Sequence, residues 1–398
     1  MPTINRRAFL VTGVCATVIS AARYAAAEPA KAIHPPSEAF LKGLPDLMEL
    51  ATLPGLAMAV IRPGQPLWQF NLGLANAKTK SPVTPDSLFP GCSLGKPIFA
   101  TLALRLAQDG ILDLDRPLNS YLKDDMLTGE WGEQATPRHV LSHTTGLPNW
   151  REQDDQELTP TFQPGTRFNY SGEGFFHLER VVEHIVGSGF EALMQERVFK
   201  PLGMNSTTYL WLSDADNRLV AGHRGSEPFY NRDLAIDTFK IIQGSGESPS
   251  FWTYEQISSA LINKSIRKTA PPPNEFVPNV AFSLLTTISD YTRFLNALLD
   301  PNNSVLGLST VTRVRMETPI SRVNSALSWG LGIGLEQTEG QTYLWQWGDN
   351  GGWKNFILAH PPTRTAMAVF TNGGNGQHVN ERIVRAATGI EHPAFLWI

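Results

Sequence analysis

The stretch that most restricts how this 398-residue chain can fold is Phe89-Pro90-Gly91-Cys92-Ser93-Leu94-Gly95-Lys96-Pro97-Ile98-Phe99-Ala100. An apolar segment ends there in small residues and a helical pattern begins. Pro97 fits only near the start of that helix, where its missing N–H costs little. The run from Ile98 to Leu106 is apolar, so the helix is predicted to be buried, closing at Asp109-Gly110. Ser93 then stands at the helix N-terminus, among backbone donors and the positive end of the dipole. Lys96, three residues on, shares its helix face. Partial desolvation lowers the pKa of such an ammonium towards that of a usable base. Serine is a poor nucleophile without a base in hydrogen-bond reach, which makes Ser93 the candidate nucleophile and Lys96 its partner.

Ser-x-x-Lys alone is a weak signal, expected by chance about once in a chain of this length at roughly 5–7% usage of each residue. A second copy does occur, at Ser265-Ile266-Arg267-Lys268. It runs into Pro271-Pro272-Pro273, where neither helix nor strand can continue, and it is read as a decoy. Cys92 is the competing nucleophile beside Ser93. With no histidine in the motif, it reads instead as a small buried residue.

The N-terminal residues Asn5-Arg6-Arg7-Ala8-Phe9-Leu10, a short apolar run and Ala25-Ala26-Ala27 read as an export signal of the twin-arginine type spanning 1–27. The apolar run is too short for a permanent membrane span. The expected destination is therefore the periplasm or the exterior. Cleavage after Ala27 removes three arginines and no acid, leaving 30 Lys+Arg against 37 Asp+Glu and a net charge of −7. Nucleic acid is excluded as a natural partner by that balance. Of two cysteines only Cys92 remains, so no internal disulfide supports the fold.

Ala39 to Leu53 reads as an amphipathic helix. Leu56–Ile61, a turn at Arg62-Pro63-Gly64 and Leu67–Phe70 read as a hairpin, favouring an antiparallel sheet. His139 and His143 have helical spacing but no intervening Glu or third ligand, so no metal is expected and both read as structural. No cofactor motif is present. Pro164-Gly165-Thr166 leads through a loop to Tyr170-Ser171-Gly172, ahead of an apolar helix from Phe175 to Ile185. Alone, Tyr170 reads as a packed loop aromatic. Facing a cleft beside a lysine ammonium, its phenol pKa is expected to fall, and it could relay a proton from Ser93 to a leaving group.

Taken in order, Ser93-x-x-Lys96, His143-Thr144-Thr145-Gly146-Leu147-Pro148, Pro164-Gly165-Thr166 with Tyr170-Ser171, Val198–Met204, Ala281–Asp290, the strand Trp329–Gly334 and Phe370-Thr371-Asn372 resemble the serine beta-lactamase-related family. That family contains class C beta-lactamases, D-alanyl-D-alanine carboxypeptidases and esterases. The resemblance spans nearly the whole chain after residue 27 and is weakest between about 209 and 275. It implies an α/β (α+β) fold: an antiparallel sheet flanked by helices from 28–97 and 321–398, a mainly helical domain from 98–320, and an active site in the cleft between them. It further implies that Ser93, Lys96 and Tyr170 are catalytic and that the backbone N–H groups of Ser93 and Gly352 form an oxyanion hole. Trp347, Asp349 and Gly351 on the third-motif strand, with Gly172 in the second motif, are implied to face the substrate.

Two departures stand out. Asp349 replaces the family's third-motif cation, and Tyr170-Ser171-Gly172 replaces Tyr-x-Asn, removing a substrate-facing amide. The reading is therefore a serine hydrolase forming an acyl-enzyme with a small-molecule ester, amide or peptide-like substrate. Its alternatives are a beta-lactamase or D-alanyl-D-alanine carboxypeptidase and, from another class, a non-catalytic ligand- or cell-wall-binding relative. If Asp349 points into the cleft, its like charge is expected to disfavour anionic substrates; the alternative is that it turns away to cap a backbone turn through Asn350-Gly351.

Overall fold

The computed structural model describes residues 32–123, 126–152, 156–210, 217–229, 249–263, 277–302 and 305–398. The expected export signal at 1–27 and the decoy pair Ser265 and Lys268 lie outside the described residues. The strands are β1 (Gly55–Ile61), β2 (Trp68–Asn76), β3 (Ser81–Pro82), β4 (Phe89–Pro90), β5 (Gly222–Arg224), β6 (Glu227–Phe229) and β7 (Leu285–Thr286). They continue with β8 (Ser321–Arg322), β9 (Leu327–Trp329), β10 (Gly334–Thr338), β11 (Gln341–Asp349), β12 (Lys354–His360) and β13 (Thr365–Thr371).

Nine of them form one antiparallel sheet in the order β3-β2-β1-β13-β12-β11-β10-β9-β8. β1 and β2 are the predicted hairpin, and β13 returns to pair with β1 in the register Met58↔Val369. Both faces of the central strands are buried, which is why they read as continuous apolar runs rather than as alternation. Leu56, Met58 and Val60 of β1 join Met367 and Val369 of β13 on one face, where they meet helix α1 (Glu38–Leu50) and the helices Gly376–Thr388 and Ala394–Trp397. Ala57, Ala59, Ala366, Ala368 and Phe370 face the other way, into a core built on helix α2 (Gly95–Gln108) and the helix Ile288–Leu299. Small residues on that face let the helix Ile288–Leu299 lie close over β1 and β13. Each large apolar side chain fully buried in these layers stabilises the fold by about 1.5–3 kcal/mol.

Two features of the sheet prepare the site. β10 pairs with β11 only as far as Gly334↔Trp345, whereas β12 stays paired to Asp349↔Lys354, so one edge of β11 runs on unpaired by β10 from Gln346. Close to that free edge lies the turn that carries Ser93, and it packs against β11. Among the described residues no helix is long and apolar enough to cross a membrane.

Candidate active site

Ser93 lies in a 3-10 turn, Cys92–Leu94, that leads directly into α2. Buried phenols hold this junction, with Tyr291 donating to the Leu94 carbonyl at 3.0 Å and Tyr209 donating to the Gly95 carbonyl at 3.2 Å. Cys92 has φ +54, a left-handed conformation that costs a residue with a side chain roughly 1–3 kcal/mol. Its buried Sγ donates to the Pro90 carbonyl, and burial pushes the thiol well above its ordinary pKa. The thiol is thus protonated, as a packing residue rather than a nucleophile requires. Gly348 of β11 faces the same turn so tightly that a Cβ there would meet the Gly91 carbonyl oxygen at 2.4 Å. Only glycine permits that approach.

Lys96 is 1% exposed and its Nζ donates to Ser93 Oγ at 2.7 Å. α2 is buried on every side around it, and that desolvation lowers the ammonium pKa to about 7, as the apolar run predicted. Ser93 itself is half-buried and reachable from solvent. Its hydroxyl also lies 3.4 Å from the Ala281 carbonyl.

Tyr170 reaches the same point from a loop fixed on both sides. The N–H of Asn169 donates to the His143 carbonyl, its side-chain amide donates to the Leu147 carbonyl, and the N–H of Gly165 donates to the Thr144 carbonyl. The two loops that carried the resemblance are therefore bonded to each other. Ser171 then caps the helix Gly172–Val186, accepting from the Gly174 N–H, while its own N–H donates to His143 Nδ1. The His143 ring stacks on Tyr170 with centroids 4.1 Å apart, and burial keeps it neutral by lowering its pKa well below the ordinary value. It is structural, as expected, but it supports the site directly. The Tyr170 hydroxyl accepts from Gln346 Nε2 at 3.1 Å, and the Ser93 side chain lies close enough to favour its ionised form. Lys96 Nζ lies 4.9 Å from the centre of the Tyr170 ring.

One expectation about Tyr170 fails. Its pKa is raised, not lowered, because burial of the hydroxyl end outweighs the lowering by Ser93 and Gln346. A lysine whose own pKa is near 7 is only partly charged at neutral pH and offers little compensation. The phenol is a proton donor at rest.

Of the two courses open to Asp349, the structure shows the capped turn. Its Oδ1 accepts from the Gly351 N–H at 2.8 Å and its Oδ2 binds Lys354 Nζ at 2.5 Å. The register that sets Asp349 opposite Lys354 makes this pairing local. Both charges act on the Cys92 thiol, which places the pair near the Ser93 turn, and Lys354 balances the carboxylate so that it is not a free anion. The Gly352 N–H, implied as an oxyanion donor, is engaged with the Asn350 carbonyl at 2.9 Å, and a Cβ on Gly352 would strike the Phe229 ring. Gly351 is exposed in the left-handed turn with φ +79.

At Gly172 the space for a side chain is already filled. A Cβ would lie 2.6 Å from the Trp150 indole, whose ring meets Phe282 edge-on. Trp347 is half-buried beside Tyr170, centroids 4.5 Å apart, and packs on Trp345 and Trp397. Gln346, Trp150 and Lys354 were not singled out by the sequence. Gln346 left a trace, a polar residue between two tryptophans in a strand; Trp150 left none. Among the described residues no group of three or more His, Cys, Asp or Glu is placed to hold a metal.

The family profile described as Beta-lactamase matches residues 44–389. An unguisins hydrolase of Aspergillus campestris is 26% identical over 353 residues, covering 80% of this chain and 58% of that protein. Penicillin-binding protein 4 of Amycolatopsis lactamdurans is 24% identical, covering 81% of each. The chain thus spans less than two thirds of the first relative and most of the second. A solved class C beta-lactamase superposes with a TM-score of 0.67 at 18% identity, covering 88% of this chain and 95% of that one, a likeness of fold.

Proposed function

The chain belongs to the beta-lactamase family, and on that premise we propose that it is an exported serine hydrolase that acts on a small ester or amide through an acyl-enzyme on Ser93. The observation that carries this reading is the 2.7 Å contact between Ser93 Oγ and the fully buried Lys96 Nζ, whose pKa near 7 leaves much of it as free amine at neutral pH. As Oγ bonds to the substrate carbonyl carbon, Lys96 takes the serine proton. Tyr170 protonates the departing oxygen or nitrogen, and the Lys96 ammonium then restores the phenol. Water attacks the acyl-enzyme by the reverse route and releases the acid. The Ser93 N–H is the first oxyanion donor, and Gly352 joins it once its turn bond to Asn350 is exchanged for substrate.

The site favours a neutral substrate with an apolar acyl or leaving group. Trp150 fills the place of the second-motif amide, Lys354 cancels the charge of Asp349, and Trp347 and Phe282 add aromatic surface. These features weigh against a beta-lactamase or carboxypeptidase specificity, although relatives carry such names. The reading is tested by Ser93→Ala, which is expected to lower hydrolysis of p-nitrophenyl butyrate by several orders of magnitude with unchanged circular dichroism. Near-wild-type turnover in that variant would refute it, and a wild type without turnover would favour the non-catalytic relative.

A further inference from the structure

We propose that Gln346 is a positioning residue that aims the Tyr170 proton at Ser93 and steadies the phenol oxygen while that proton is away. The proposal rests on the reading of Ser93, Lys96 and Tyr170 as the hydrolytic centre.

Gln346 is fully buried in β11 at the point where β10 no longer pairs with that strand. An amide buried there is costly unless its polar atoms are used. Its Nε2 donates twice, to the Tyr170 hydroxyl at 3.1 Å and to the backbone carbonyl of Trp347 at 3.0 Å. The second bond fixes the first. A carbonyl oxygen only accepts, so the NH₂ end must face Trp347; turning the amide over would set Oε1 against that carbonyl. Oε1 lies buried without a hydrogen-bond partner, so no competing bond pulls the amide the other way.

With Nε2 donating into the phenol oxygen, Tyr170 accepts on that side. Its own proton is left for another group, and the acceptor assigned to it is the Ser93–Lys96 pair, whose Nζ lies 4.9 Å from the Tyr170 ring centre. The same geometry matters during reaction. The serine proton passes to the Lys96 amine as Oγ bonds to the carbonyl carbon. The bond to the leaving oxygen breaks as that oxygen takes the Tyr170 proton. Lys96 then returns its proton to the phenolate, so the serine proton is balanced by the one on the released alcohol. In the interval the phenol oxygen is negative in an enclosed site, and Gln346 Nε2–H points at it. A donor of this kind acts only to the extent that the phenol gives up its proton, hence most with a poor leaving group.

The test compares wild type, Gln346→Met and Gln346→Asn on two esters of one acyl group, an ethyl ester and a p-nitrophenyl ester. Labelling by a fluorophosphonate verifies that Ser93 still reacts in each. The expected result is a loss of about 10–100-fold in kcat on the ethyl ester, the scale of a charge-assisted hydrogen bond, with less than about 3-fold on the p-nitrophenyl ester. An equal loss on both esters, or none on either, would overturn the proposal while leaving the hydrolase reading intact. A wild type that neither labels at Ser93 nor turns over either ester would overturn both. A variant that no longer labels identifies Gln346 as a structural residue and also counts against the proposal.

Discussion

Replacing Lys96 with Met is predicted to abolish hydrolysis and to stabilise the protein, and the two effects share one cause. The folded state lowers the pKa of this ammonium from 10.5 to about 7 by burying it. At about 1.4 kcal/mol per pH unit, that gap corresponds to roughly 4–5 kcal/mol of stability given up to keep a base in the core. Above a pH of about 10.4, lysine is neutral folded and unfolded, and nothing is lost. As the pH falls, the unfolded chain binds a proton that the folded chain does not, so stability declines until about pH 7, where the folded state also protonates. Methionine has a similar shape and no charge. It forfeits the bond to Ser93 Oγ, worth about 1 kcal/mol. Lys96→Met is thus expected to be more stable than wild type by about 3 kcal/mol at pH 7, the advantage mostly gone by pH 9.5. Urea unfolding at both pH values measures this, and activity assays follow the loss of function. Wild-type kcat/KM is expected to rise with pH through a midpoint near 7 if the neutral amine is the base, as proposed. A variant less stable than wild type at pH 7, or a stability difference that ignores pH, would refute the reasoning.

Gly172→Asn, which restores the side chain of the second motif, should destabilise by about 1–3 kcal/mol because its Cβ meets the Trp150 indole at 2.6 Å, and pairing it with Trp150→Ala should recover most of the loss in thermal unfolding. An equal penalty in both backgrounds would show that Trp150 is not the obstacle. Asp349→Asn should free the Lys354 ammonium and raise kcat/KM several-fold for a carboxylate-bearing ester relative to a matched neutral one, less so in 0.5 M salt. An unchanged ratio would place the ion pair outside the substrate's reach.

Much of this arrangement was legible because local rules set it. Pro97 limits where the helix can begin, the Ile98–Leu106 run dictates burial, and burial dictates the lysine's pKa, a chain of causes within fifteen residues. The hairpin of β1 and β2 follows similarly from a turn between apolar strands. The misreadings concern groups whose partners are far along the chain or depend on register. Tyr170 was expected to acidify beside a cation, but its enclosure by His143, Trp329 and Trp347 is tertiary and runs the other way. The sequence left the direction of Asp349 open and its partner unnamed, because Lys354 meets it only after β11 turns back into β12. Trp150 acts on Gly172 from across a loop, and no periodicity announces such a contact.

The central claim, that Ser93 forms a covalent acyl-enzyme, is tested most directly by peptide mapping of acid-quenched enzyme during turnover of a slow ester. The account predicts the mass of one acyl group on the peptide bearing Ser93, lost in Ser93→Ala and accumulating more slowly below pH 7. An adduct on Cys92 or Ser265, or steady turnover with no adduct on any peptide, would contradict it.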